Sequence, residues 1–176
     1  FTSMYEATLQ MIRTGVKDIV YFYNSTSYSG KRKLAGYRAA MEEKKLLTGA
    51  NLLQFYHGSH EDIPAMTEYL CRLHEKGLRF HGIIAADDTL ALAAVKYARL
   101  QKYRIPEDFS LTGFGDSSIG EYMEPALTTV EWDPLDCGYA AAKLLHERMR
   151  QKKDTEKSFI PYRIAGRDSV MDRTNA

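Results

Sequence analysis

Residues Ile105–Asp116, IPEDFSLTGFGD, decide the fold of this chain. They read as a helix exit, an Ile-Pro turn, a buried strand over Phe109–Phe114 and a glycine-flanked acidic loop where that strand ends. A strand that runs into Gly-Phe-Gly-Asp places polar groups at its carboxyl edge, where open parallel sheets bind ligands. A short loop then leads to Pro125–Val130, PALTTV.

Outward from this segment, apolar strands alternate with amphipathic helices. Met4–Thr14 carries Leu9 and Ile12, with Val16 in register, and ends at Gly15, a helix C-cap. Asp18–Tyr23, DIVYFY, has the β-branched and aromatic composition of a strand. After the polar loop Asn24–Gly30, Leu34, Tyr37 and Met41 recur at helical spacing. Leu52–Tyr56 reads as a second strand. His60–Lys76 reads as a helix, with Ile63, Met66, Leu70 and Leu73 on one face and Gly77 closing it. Gly82–Ala86 is a third strand, Thr89–Gln101 a helix packing Leu90, Ala94, Tyr97 and Leu100, and Phe109–Phe114 a fourth strand. Strands that are continuously apolar are buried on both faces, which implies a parallel sheet covered by helices. Repeated strand–helix–strand units with right-handed crossovers give an α/β, doubly wound parallel sheet. Beyond Val130 the pattern changes. Glu131-Trp-Asp-Pro134 leads into a long helix over Leu135–Arg150, then a charged stretch, a strand-like run at Phe159–Ile164 and a polar, frayed end from Asp168.

Length and composition bound the function. The chain has 176 residues, enough for one domain or a domain with part of another, and 44% hydrophobic residues suffice for a packed core. A formal net charge of +1 and the absence of a basic stripe argue against a dedicated nucleic-acid-binding domain. Lys31-Arg32-Lys33 reads as a solvated helix face. Cys71 and Cys137 lie in separate helical patterns with no CxxC pair, as reduced thiols would. The longest apolar runs are far too short to span a bilayer.

Polar residues fall at every strand end: Asn24, then His57-Gly-Ser-His60, Asp87-Asp88 and Gly115-Asp116. In a parallel sheet these crowd onto one edge. Asp88 is expected to cap the helix that starts at Thr89, leaving Asp87 to face a ligand. A carboxylate there accepts two vicinal hydroxyls of a sugar or similar polyol, and Trp132, the sole tryptophan, offers a ring to cover an apolar face. A packed structural tryptophan is the alternative. His57 and His60 lack the further ligands of a metal site, so no metal is expected. His146-Glu147 lacks the second histidine of HExxH. A phosphoryl-accepting pocket needs an acidic pair and a lysine at separate strand ends, a set the sequence does not assemble. There is no GxSxG, P-loop or GxGxxG, and no nucleophile–base set, so no enzyme activity and no cofactor is expected.

The wording of the chain resembles the LacI/GalR family of bacterial transcription regulators, in their effector-binding, periplasmic-binding-protein-like (type I) region. The resemblance runs from about Tyr5 to Val170. Its markers are Lys33-Leu-Ala-Gly36-Tyr37, Ala86-Asp87-Asp88-Thr-Leu-Ala-Leu92, Ile105-Pro-Glu-Asp108, Thr112-Gly-Phe-Gly-Asp116, Leu127-Thr-Thr-Val130 and Arg167-Asp-Ser169. It implies two similar α/β subdomains joined by three crossovers, near Asn24–Ser27, near Val130–Asp133 and within Lys153–Ser158. Residues 25–131 and 157–170 would form a near-complete C-terminal subdomain, residues 1–24 and 132–153 a remnant of the N-terminal one, and 171–176 a tail. The chain then lacks a DNA-binding headpiece and reads as truncated at its N-terminus, with Val20, Phe22, Leu144 and Leu145 short of partners.

By the same resemblance the effector contacts are Ser29, Lys33, His60, Asp87 and Trp132. Lys33 stands where the family has an arginine, keeping the charge and losing the bidentate fork. Gly115 stands where the family has a ligand-holding aspartate, with Asp116 after it. Leu92, Tyr122 and Met123 match positions where subunits of a homodimer meet. The implied function is an effector-sensing and dimerisation domain of a cytoplasmic regulator. It would bind a small molecule, a sugar or related metabolite, and reach operator DNA through a headpiece outside the chain, with no membrane partner. A periplasmic sugar-binding protein on the same fold is the alternative. A pocket that has lost its ligand, or that binds a protein corepressor, is a further one.

Overall fold

The computed structural model describes residues 1–47, 52–57, 61–151 and 158–174. A helix α1 (Thr2–Arg13) precedes β1 (Ile19–Tyr23), and α2 (Tyr28–Glu43) follows. Then come β2 (Leu52–Phe55), α3 (Asp62–Glu75), β3 (Gly82–Ala85), α4 (Asp88–Gln101) and β4 (Ser110–Phe114). A single helical turn and a half, α5 (Ser118–Tyr122), leads to β5 (Thr128–Glu131), the long α6 (Pro134–Gln151) and β6 (Arg163–Ala165).

The six strands form one sheet in the order β2-β1-β3-β4-β5-β6, parallel except for β6, which runs antiparallel to β5. The chain moves outward from β1 to β2 and then reverses to β3 and β4. Right-handed crossovers therefore put α2 on one face and α3 and α4 on the other. The packing agrees, with α1 against α2 and α3 against α4. Between β1 and β3 the direction of winding switches, and that is where an open α/β sheet opens a crevice at its carboxyl edge.

The core follows from strand composition. Val20, Tyr21, Phe22, Ile83, Ile84 and Leu111 are buried on both faces of the sheet, as continuous apolar runs require. Tyr21 stacks on Tyr37 of α2 with ring centroids 4.6 Å apart. On the far face Phe80, Tyr97 and Phe109 form a second aromatic cluster.

Three expectations need correction. Residues 1–24 are no remnant of another subdomain here, because β1 lies between β2 and β3 in the one sheet, and Val20 and Phe22 are fully buried. Of the four residues expected to lack partners, Leu144 is half-buried and Leu145 on α6 is 61% exposed as expected, with Leu135, Tyr139 and Met149 exposed beside it. The end of the chain is not frayed from Asp168. The Ser169 hydroxyl donates to the Leu111 carbonyl at 2.6 Å and accepts from the Thr128 amide at 2.8 Å, and the Arg173 amide donates to the Thr14 carbonyl at 2.7 Å. The last strand lies at Arg163–Ala165, overlapping only the end of the Phe159–Ile164 run, and Phe159 is exposed. The sequence reading also passed over β5, because a strand of Thr-Thr-Val-Glu lacks apolar alternation, and over α5, only five residues long.

Candidate functional site

Two adjoining cavities of about 630 and 590 Å³ open at the carboxyl edge of the sheet, and Ser29, Lys33, Asp87 and Thr89 line both. The first extends toward Asn24, Tyr56 and His57; the second toward Phe114, Gly115, Trp132 and Tyr162. The site therefore sits at the switch in winding between β1 and β3, flanked by the first turns of α2 and α4.

The β1 exit is shaped by Asn24. Its Oδ1 accepts from the Thr26 and Ser27 amides at 2.8 and 3.2 Å, and its Nδ2 donates to the His57 carbonyl at 3.0 Å. That local turn is what asparagine offers a strand end, and it ties the exits of β1 and β2 together. Ser27 then caps α2, its hydroxyl accepting from the Gly30 amide at 2.9 Å. From this fixed start, Ser29 and Lys33 project from neighbouring turns toward the crevice.

Lys33 leaves the solvated face expected for Lys31-Arg32-Lys33. Lys31 and Arg32 are exposed, whereas the Lys33 ammonium donates to the Ala86 carbonyl at 2.7 Å and lies 3.8 Å from the centre of the Phe114 ring. Burial lowers its pKa to about 8, against the pull of the Asp87 and Asp88 carboxylates, which raises it. At neutral pH the site thus holds a cation braced by a carbonyl and an aromatic face.

The capping role expected of Asp88 falls to Asp87, which also faces the crevice as expected. Asp87 is the N-cap of α4, accepting from the Thr89 amide at 2.8 Å through Oδ1, while remaining exposed in both cavities. Asp88 is only 1% exposed. Its Oδ1 accepts from the Thr129 hydroxyl and its Oδ2 from the Ser117 amide, both at 2.7 Å. The carboxylate approaches β4 so closely that a Cβ on Gly113 would lie 2.2 Å from Asp88 Oδ1. Gly113 is required by that approach.

Gly115 has a second reason to be glycine. Its φ is +131°, a backbone region that other residues rarely adopt. Asp116, next along the chain, is turned away to pair with the Arg167 guanidinium, which also donates to the Leu127 carbonyl at 2.8 Å. No carboxylate from this loop therefore reaches the crevice, beyond the Gly115 substitution noted from sequence. Trp132 packs on Phe114 with ring centroids 5.2 Å apart and forms one wall of the second cavity.

Of the residues expected to touch effector, Ser29, Lys33, Asp87 and Trp132 come together here. His60 lies outside the described residues. Leu92, Tyr122 and Met123 are away from the crevice; Leu92 and Met123 are half-buried and Tyr122 is 84% exposed. Sequence reasoning missed Tyr56, Phe114 and Tyr162. Tyr56 had a signal, since it directly follows β2. Phe114 was visible only as a core strand residue, and Tyr162 carries no local sign of its place. Among the described residues no cluster of three or more His, Cys, Asp or Glu side chains is arranged for a metal ion, and no helix is long and apolar enough to cross a membrane.

Residues 8–170 match the family described as periplasmic binding protein-like domain. An HTH-type transcriptional regulator of Lachnoclostridium phytofermentans is 33% identical over 129 residues, 73% of this chain and 38% of that protein. The ribose operon repressor of Halalkalibacterium halodurans is 26% identical, over 97% of this chain and 50% of its own length. The solved structure of a transcriptional regulator CelR–cellobiose complex superimposes with a TM-score of 0.82 at 26% identity, covering 95% of this chain and 51% of that one. The chain thus spans half or less of the length of these curated relatives. By its sheet, its carboxyl-edge crevice and this match, the chain belongs to the periplasmic binding protein-like domain family, in the form found in LacI-type transcription regulators.

Proposed function

We propose that this chain is the effector-sensing part of a LacI-type regulator and that its effector is a small polyhydroxylated molecule of the sugar class. One observation carries the reading: an exposed carboxylate, Asp87, and a braced ammonium, Lys33, face one crevice beside an aromatic wall, Trp132. Carboxylate and ammonium pair with vicinal hydroxyls, and a ring face covers the apolar side of a pyranose or furanose. The two relatives named for ribose and cellobiose support the same class. A binding role, in the cytoplasm, fits relatives that regulate transcription, and the regulator reading is preferred over a periplasmic carrier for the same reason.

In this proposal Ser29, Lys33, Asp87 and Trp132 contact the effector. Binding favours one geometry of the crevice, and a homodimer relays that preference to DNA-contacting segments outside this chain. Leu92, Tyr122 and Met123 supply the dimer contact; the exposure of Tyr122 supports it.

The test is a thermal-shift survey of pentoses, hexoses, disaccharides and their phosphates. At least one is expected to raise the melting temperature, and Asp87→Asn, which keeps the helix cap, is expected to abolish the rise while leaving the unliganded melting temperature near that of the parent. A rise that persists in Asp87→Asn removes Asp87 from the site.

A further inference from the structure

We propose a second ligand site at the opposite, amino edge of the sheet, built to take a small aromatic carboxylate. A cavity of about 470 Å³ lies there, lined by His74, Arg79, Phe80, His81, Tyr97 and Arg173 among others. Its volume falls within the range of about 300–1,000 Å³ that holds small organic ligands. Its walls are the segments that lead into β3 and β4, so a strand length of about 15 Å separates it from the crevice.

The floor is aromatic. Phe80, Tyr97 and Phe109 pack with centroids 5.7 to 6.1 Å apart, and Tyr103 stands 5.8 Å from Tyr97. Tyr97 and Phe109 are 1% exposed and back this floor, so a planar ligand ring meets the edge of Phe80 and the half-buried Tyr103.

The wall carries two arginines, and among the described residues no carboxylate forms an ion pair with either. Arg173 donates from Nη1 to the Glu107 carbonyl at 2.9 Å and from Nη2 to the Pro106 carbonyl, while its buried Nε has no acceptor among the described residues. Backbone carbonyls hold the guanidinium in place without neutralising it. A partly buried cation so placed favours an anion beside it. Arg79, exposed on the rim, has no ion-pair partner among the described residues and offers the planar fork that carboxylates match. The neighbouring groups are already engaged. His81 Nδ1 lies 3.5 Å from Asp18, Tyr103 Oη lies 3.0 Å from His74 Nδ1, and Asp108 accepts from the Arg104 amide at 2.7 Å. Glu107, the other lining acid, meets Arg173 through its backbone carbonyl, and among the described residues its carboxylate pairs with neither arginine. A ring for the floor and a carboxylate for the arginines define the ligand class.

The probe is 4-hydroxybenzoate, with phenol and acetate as its two halves. Isothermal titration of the chain is expected to show saturable binding at least about tenfold tighter than either half. Arg79→Ala, a surface change that leaves the melting temperature unaltered, is expected to weaken it about tenfold or more, and Lys33→Met in the crevice to leave it unchanged. Three results overturn the proposal: no binding up to about 5 mM, binding indifferent to Arg79→Ala, or binding lost in Lys33→Met, which places the probe in the crevice. Acetate binding as tightly as the whole probe also overturns it, as an adventitious ion only.

Discussion

Asp87 and Asp88 are neighbours in the chain and opposites in the molecule. Around Asp88 the carboxyl edge of the sheet is sewn shut: its two oxygens join α4 to β5 and to the start of α5, and Arg167 fastens Asp116 and Leu127 alongside. Around Asp87 the same edge is open, with one carboxylate oxygen capping a helix and the side chain exposed to two cavities. The comparison teaches that residues shared with a regulator family divide between those that build the crevice and those that face it. Asp88, Thr129, Ser169 and Arg167 build; Lys33, Asp87 and Trp132 face.

This contrast breaks if the two halves respond alike to mutation. The largest effect is expected for Asp88→Ala, which strands the Ser117 amide and the Thr129 hydroxyl in a buried site. It should cost about 3 kcal/mol in denaturant unfolding, because buried polar groups lose their partners. Gly115→Asp, which supplies the acid the resemblance leads one to expect, should cost about 1–3 kcal/mol from its positive φ and yield no tighter effector binding. Asp87→Ala should cost about 1 kcal/mol through the lost cap, and Asp87→Asn only a few tenths. A large, equal loss in both Asp87 variants would erase the distinction between the halves.

A pH trend tests the open half separately. The folded pKa of Lys33, about 8, is below the lysine value of 10.5. Below pH 8 both states are protonated and the folded chain bears the whole cost of burying the charge. Between pH 8 and 10.5 the folded state loses the proton first, so stability rises with pH through that window. Lys33→Met should remove the rise, and the melting temperatures of parent and variant should converge or cross as pH climbs from 8 to 10.5. A gap between them that stays constant over that range contradicts the burial of this amine.

Much of the fold is legible in the sequence. Apolar runs such as Ile19–Tyr23 and Gly82–Ala85 are two-faced strands because successive residues pack on opposite sides of the sheet and nearly all are buried. What escaped was set by tertiary contact. β5 is a strand because Asp88 and Arg167 engage the side chains of Thr129 and Thr128, which its own composition does not announce. The segment from Ser169 to Arg173 is held by partners more than forty residues away. The placement of residues 1–24 failed for a related reason, since the neighbours of a strand in a sheet are not written in the strand. At the site, strand-end position was enough to single out Asp87, and Ser29 came only from the family resemblance; neither says which aspartate caps α4, because both stand next to its first turn and only the approach of β4 across Gly113 decides it.

Trp132 provides the most direct test of the central claim, because it is the only tryptophan in the chain and forms a wall of the crevice. Its emission can be followed while adding each sugar or sugar phosphate that raises the melting temperature. A saturable change in Trp132 emission is expected, with a midpoint that matches the thermal shift, and it disappears in Asp87→Asn. A compound that stabilises the protein while leaving Trp132 emission untouched, in parent and variant alike, would place the effector elsewhere and contradict it.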